Sequence, residues 1–163
     1  MPTYSSQFPD PVVLVTVTTK EHTNVMTVGW ASPVSMKPPI LMVSIAPQRF
    51  THDLVVEAGE FGVSVLADDQ KRLAQLAGTL TGRKVKKLMK SEFETFPADS
   101  INAPLISGAR AWFECKLHSQ QSVGDHTVFY GEVIKASADD TKTPLVLFNR
   151  RYYGLGEERG TYP

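Results

Sequence analysis

Disulfides are excluded by count: the 163 residues include one cysteine, Cys115, so no bridge can form within the chain. It lies in Ala111-Trp112-Phe113-Glu114-Cys115-Lys116-Leu117, where alternate residues face a core, and a small buried hydrophobe is its expected role. Neither sign of charge is in excess, since 17 Lys and Arg balance 17 Asp and Glu. That balance gives no electrostatic ground for a nucleic-acid partner. No apolar run approaches the roughly 20 residues of a membrane-spanning helix. The opening Met1-Pro2-Thr3-Tyr4-Ser5-Ser6 lacks the charged and apolar regions of a leader. Together these features predict a cytoplasmic protein with no nucleic-acid and no membrane partner.

Several motifs of catalysis are also missing. No G-x-G-x-x-G follows a strand, and no G-x-x-x-x-G-K-[ST] occurs, so a bound dinucleotide would use neither a Rossmann turn nor a P-loop. No G-x-S-x-G elbow supports a hydrolase. The histidines at 22, 52, 118 and 126 lack the close spacing of a metal site, and no metal is expected. His22 in a turn and His118 in a strand read as structural or solvated.

What is present is mostly strand. Val12 to Thr19 is rich in β-branched residues and ends in the polar turn Lys20-Glu21-His22-Thr23-Asn24, which predicts a hairpin with Val25 to Ala31. Ile40 to Ala46 is bounded by prolines that end pairing on both sides. A short helix is expected from about Thr51 to Ala58, with Gly59 at its stop. Phe61 to Leu66 reads as a further strand. Leucines at 73, 76 and 80 predict a helix over Gln70 to Ala77, with Gly78 at its end, and a second helix is expected over Val85 to Lys90. A long loop from Ser91 to Pro104 follows. Strands resume at Ala109 to Ser119 and Thr127 to Ala136, joined by a loop through Gln120 to Gly124, and a last apolar run spans Pro144 to Phe148. Many short strands with helices inserted midway predict a mainly β fold, a small Greek-key barrel. The length suits one domain over residues 1–163, with its core at about 11–153.

Three stretches carry candidate chemistry. Gly124-Asp125-His126 places an imidazole, the side chain that titrates nearest neutrality, at the entrance of a strand. Asn24-Val25-Met26-Thr27-Val28-Gly29-Trp30 offers amide and hydroxyl groups suited to the polar edge of a heteroaromatic ring, with Trp30 either beside that ring or in the core. Arg49-Phe50-Thr51-His52 stands where a strand gives way to a helix. There Thr51 either caps the helix or joins Arg49 and backbone amides around an anion, and the sequence leaves both open. The basic run Arg83-Lys84-Val85-Lys86-Lys87 reads first as a solvated helix face, with Lys87 or a neighbour as a second cation for such an anion.

With these residues assembled, the chain resembles the flavin reductase-like family of FMN-binding split barrels, flavoredoxin-type members in particular. The matching stretches are N-V-M-T-V-G-W-A-S-P-V-S with K-P-P, R-F-T-H-D-L, E-A-G-E-F-G-V-S-V, G-R-K-V-K-K-L, A-P-L-I, F-E-C-K-L, G-D-H-T-V-F-Y-G-E-V and P-L-V-L-F-N-R-R-Y-Y. The resemblance implies a homodimer of Greek-key split β-barrels with FMN near the subunit interface. NADH or NADPH would be the electron donor, and free flavin, a ferric chelate or a redox partner protein the acceptor. An electron carrier with tightly bound FMN, or a flavin-binding protein without turnover, would share the fold. It further implies flavin contacts from Asn24, Trp30, Thr51, Lys87, His126 and Phe148, with Met26, Thr27, Ser44 and Arg49 of second rank. Arg49, Thr51 and Lys87 would meet the phosphate end, Trp30 and Phe148 would border the ring, and His126 would orient nicotinamide or flavin at its reactive side. Lys86 stands where the family usually has Asp, which makes this corner more positive.

Overall fold

The computed structural model describes residues 4–162. Its centre is an antiparallel sheet of seven strands in the order β3-β2-β6-β9-β10-β5-β4. Their ranges are β2 Val13–Thr18, β3 Thr23–Val28, β4 Ala31–Met36, β5 Pro39–Ile45, β6 Glu60–Val65, β9 Ala111–Val123 and β10 His126–Ala138. Two helices, α1 (Phe50–Ala58) and α2 (Lys71–Thr79), fill the connections. Short pairs add β1 (Asp10–Pro11) against β11 (Val146–Phe148), β11 against β12 (Arg151–Tyr153), and β7 (Thr95–Phe96) against β8 (Leu105–Ile106).

The alternation of β2 explains its near-complete burial. Val13, Val15 and Val17 point into a core shared with Val43, Ile45, Leu54, Phe61 and Phe129. Leu14 points to the opposite face, into a second core with Val25, Leu66, Leu73, Ala74 and Ala77. Helix α1 therefore covers one face of the sheet and α2 the other. Burying one such Leu or Phe contributes about 1.5–3 kcal/mol, so each helix is held by its apolar stripe rather than by propensity. The stripe of α2 is Leu73, Ala74 and Ala77, and Leu80 lies beyond the helix end. Gly78 sits inside the last turn, where an added Cβ would touch Thr27 at 3.5 Å.

The edge strands β3 and β4 are joined only by Gly29-Trp30, and the sheet bends until β3 lies beside β5. The Ser44 N–H donates to the Trp30 carbonyl at 2.9 Å, but no ladder forms between the two edges. This open seam makes the architecture a Greek-key split barrel, the expected class.

Several local expectations need correction. The segment Ala31–Met36 is an edge strand that the sequence reading missed, because Pro33 and a bulge between Pro33 and Ser35 break its pattern. The presumed loop at Gln120 to Gly124 is strand as far as Val123. β9 and β10 form a hairpin closed by the two-residue turn Gly124-Asp125, with Gly124 at φ 59. Exposed polar residues remain in strand there because pairing with β10 holds the backbone extended. The helix expected over Val85 to Lys90 contracts to one 3₁₀ turn, Lys87–Met89. The loop from Ser91 to Pro104 contains β7, and two buried carboxylates fasten it to the sheet. Glu114 accepts from the N–H groups of Asp99 (3.2 Å) and Ser100 (2.6 Å). Glu60 accepts from the backbone and side chain of Asn102 (2.7 and 2.8 Å) and pairs with Lys116. Cys115 is fully buried, as expected, and burial pushes its thiol up to about 12, with the Glu114 charge adding to the effect.

The β11–β12 hairpin turns through Asn149 and Arg150, at φ 47 and 62. Asparagine tolerates this region, but arginine in a left-handed conformation costs about 1–2 kcal/mol.

Candidate functional site

β3 is an edge strand caught between the two helices, and its polar residues are used on both sides. Thr27 Oγ1 donates to the Ala74 carbonyl of α2 at 2.6 Å. On the other side Asn24, almost fully buried, donates through Nδ2 to Thr51 Oγ1 at 2.9 Å. Thr51 is therefore not the N-cap of α1; Arg49 holds that place, and no side chain caps the first turn. A hydroxyl that accepts from Asn24 keeps its own proton to donate outward. The uncapped start of α1 adds backbone N–H groups and the positive end of its dipole.

Residues 77–82 face this corner across a cleft of about 180 Å³, lined by Asn24, Gln48, Arg49, Thr51, Thr81 and Lys87 among others. Gly82 crosses directly over Asn24. A Cβ there would lie 2.2 Å from Asn24 Oδ1, so the backbone approaches only because position 82 has no side chain. Lys87, only 3% exposed, donates through Nζ to the Ala77 carbonyl at 2.8 Å in the last turn of α2. Burial, with the Arg49 charge adding to it, lowers its ammonium from the ordinary 10.5 to about 8. Two of its three donors remain for another acceptor.

A second cleft of about 300 Å³ continues from the first, sharing Met26, Thr27, Gln48 and Arg49 with it. Its far wall is made of Trp30, Ser44 and His126, with Asp10 and Leu147 at the rim. The Trp30 and His126 rings pack 4.8 Å apart at 45°. His126 Nδ1 lies 2.7 Å from the Asp125 carboxylate, whose acidity that bond increases. Asp125 accepting the Nδ1 proton leaves Nε2 as the available nitrogen. The Asp10 carboxylate has no hydrogen-bond partner among the described residues, and burial raises it above the ordinary value.

One continuous trough thus gathers Asn24, Met26, Thr27, Trp30, Ser44, Arg49, Thr51, Lys87 and His126. Phe148 does not line it. That ring is exposed and packs on Tyr153 at 6.4 Å between centroids. The basic run divides: Lys87 is buried, whereas Arg83 pairs with Asp53 at 3.1 Å and lies over the Phe50 ring at 5.0 Å. His52 is structural, bonding Thr127 Oγ1 at 3.0 Å, and His22 meets the Phe50 ring edge-on. Sequence reasoning missed Gln48, Thr81, Gly82 and Asp10. Only Asp10, a lone charge between Pro9 and Pro11, carries any local signal in the sequence.

These donors fit a flavin mononucleotide. The narrow end offers hydroxyls, uncapped N–H groups and two cations for a phosphate, while the wide end, bordered by an indole and an imidazole, suits a flat heteroaromatic ring. At about 300 Å³ the wide end alone reaches the size range of cofactor clefts, roughly 300–1,000 Å³.

Comparison with known proteins places the chain in a flavin reductase family. Residues 5–156 match the model of the flavin reductase like domain, and the chain belongs to that family. It is 34% identical to the NADH-dependent flavin reductase StyB of Pseudomonas fluorescens over 87% of this chain and 80% of that one. The structure of the Streptomyces globisporus NADH:FAD oxidoreductase SgcE6 in complex with NAD and FAD fragments superposes with a TM-score of 0.88, at 27% identity, covering 96% of this chain and 91% of that one. Flavoredoxin from Methanosarcina acetivorans gives a TM-score of 0.87 at 26% identity over 99% and 94% of the two chains.

Proposed function

We infer that this protein is an NAD(P)H-dependent flavin reductase that holds FMN in the trough between β3, α1 and the β9–β10 hairpin. The observation that carries this reading is the continuity of the trough, an anion cradle at one end running into the Trp30–His126 wall at the other. A bound flavin would supply the redox chemistry between a dihydronicotinamide donor and an acceptor such as free flavin, a ferric chelate or a partner protein. The chain's own part is binding and orientation. Thr51, Arg49 and Lys87 hold the phosphate, Asn24 fixes Thr51, and Trp30 with Ser44 borders the ring. His126, steadied by Asp125 and by the Trp30 face, positions nicotinamide against flavin without itself moving a proton. No residue need form a covalent bond.

The reading extends to a single cytoplasmic flavin reductase-like domain acting as a homodimer. Support for the dimer comes from an apolar opening of about 390 Å³ lined by residues of β2, β4, β5, β6, β9 and β10, with Met36 exposed at it. Phe148, on the outer surface, would reach a flavin only across such an interface. No helix among the described residues is long and apolar enough to cross a membrane.

The likeness to flavoredoxin favours a second reading, an electron carrier with permanently bound FMN, and one experiment separates the two. The FMN-loaded protein is titrated anaerobically with NADH and with NADPH while the flavin absorbance is followed. Bleaching by at least one nicotinamide supports the reductase. Flavin bleached by dithionite but by neither nicotinamide refutes it and leaves the carrier.

A further inference from the structure

We propose that Arg150 anchors a phosphate of the nicotinamide dinucleotide in a third cleft that extends the trough. This rests on the reductase reading and adds the residue that grips the donor's tail. The cleft, about 290 Å³, is lined by Ser5, Phe8, Asp10, Trp30, Leu147 and Arg150 among others. Asp10, Trp30 and Leu147 also line the ring end of the trough, so the two spaces share a wall. A dinucleotide whose nicotinamide reaches the flavin at that wall has its phosphates on the far side of it, where Arg150 stands.

Two features bear on this arginine, and the first sets it apart from the other arginines of the chain. It occupies the second position of a two-residue hairpin turn at φ 62, where glycine is the unstrained choice. Its side chain also forms no ion pair with any described carboxylate. A strained backbone that sets an arginine without an ion pair at the wall of a cleft beside the candidate site suits a phosphate reader. Asp10 shares the cleft and would repel an anion placed next to it. It would also favour the positive charge that a nicotinamide ring gains as hydride leaves. The cleft is therefore polar along its length in the same sense as the donor, with the carboxylate toward the ring and the guanidinium toward the phosphates.

The phosphate has two sources, the pyrophosphate common to both nicotinamides and the 2′-phosphate of NADPH alone. Binding of ADP-ribose and of 2′-phospho-ADP-ribose is measured calorimetrically on the flavin-free protein, for the wild type, R150G and R150Q. R150G relieves the turn and should raise the melting midpoint by about 2–4 °C, so lost binding in it is not lost folding. Weakening of both ligands at least fivefold in both variants assigns the pyrophosphate, and weakening of the 2′-phosphorylated ligand alone assigns the 2′-phosphate. In steady state the KM for NADH or NADPH should rise by the same factor, with that for 1-benzyl-1,4-dihydronicotinamide, which has no phosphate, unchanged. Wild-type binding that is absent at millimolar ligand, or indifferent to both substitutions, overturns the proposal. Arg150-dependent binding in a protein that neither donor reduces would leave the anchor standing and remove the reductase.

Discussion

Lys87→Met tests whether the buried ammonium serves a ligand or the fold. An amine brought from 10.5 to about 8 by burial and by Arg49 is held charged at neutral pH against the protein's preference. That displacement corresponds to a penalty of about 3 kcal/mol at pH 7. The sign follows from proton counting. Between about pH 8 and 10.5 the unfolded chain binds more protons at this group than the folded one, so wild-type stability rises with pH across that window. By pH 9.5 the penalty has fallen by about 2 kcal/mol. Methionine removes the charge and leaves the Ala77 carbonyl without its donor, a cost of about 1–3 kcal/mol that does not vary with pH. Urea unfolding of both proteins in the absence of flavin should therefore show the variant gaining on the wild type at neutral pH. The stability difference should move by about 2 kcal/mol toward the wild type at pH 9.5. Flavin affinity should fall at least tenfold in the variant, because a desolvated cation near a phosphate contributes at least about 1.4 kcal/mol. A stability difference that is flat with pH, together with unchanged FMN affinity, would refute the reasoning and make Lys87 only a clamp on the end of α2.

Two further outcomes bear on separate parts of the molecule. His126→Ala should slow the reduction of bound flavin by NADH about tenfold or more in stopped flow while the flavin Kd moves less than about threefold; unchanged turnover at saturating flavin would remove His126 from the site. Glu60 concerns the fold alone. Burial pulls its carboxyl upward, but the bonds from Lys116 and Asn102 outweigh that and hold it below the ordinary value. Its contribution is thus present above the unfolded carboxyl's titration and lost as pH falls through the lower folded one. Glu60→Gln should cost about 1–3 kcal/mol at pH 7 and progressively less toward pH 3. Acid unfolding curves that run parallel for the two proteins would contradict this.

What the sequence made legible follows from which forces act locally. β2 and β6 were readable as strands buried on both faces, and β5 as an apolar run between prolines with one face fully buried. β4 and the outer half of β9 were not, because they are strands by virtue of a partner's hydrogen bonds, with side chains that are polar or include Pro33. Asn24, Trp30, Arg49 and Thr51 were found as unusual polar or aromatic residues at the ends of regular elements. Their mutual contacts were not legible: the Asn24–Thr51 bond joins residues 27 positions apart, and it displaced the helix cap that local chemistry suggested for Thr51. Gln48, Thr81 and Gly82 came to the site only through folding, since loop residues carry no periodic signal. Composition alone made Lys87 one of several exchangeable surface lysines; the family resemblance picked it out, and the packing of residues 77–87 against β3 supplies the physical reason for its burial.

The position of the trough follows from the failure of the sheet to close. A closed barrel would pair β3 with β4 and cover the backbone between them. Here Gly29-Trp30 spans the seam instead, leaving an edge strand whose outward residues are free for α1, α2 and a ligand. The two helices that bury this edge lie on opposite faces and reach it with ends of opposite character. α1 presents its uncapped, positive N-terminal turn, and α2 presents terminal carbonyls, one of which is satisfied by Lys87. An anion seated between them interacts favourably with the first helix directly and with the second through the lysine. Both helices would then be held to β3 by the ligand as well as by their apolar stripes. Flavin should accordingly stabilise the native protein as mass action requires, with amide exchange slowed over residues 77–87 as well as at the contact residues. Protection confined to α1 and the β9–β10 turn would mean that Lys87 and the end of α2 take no part in binding.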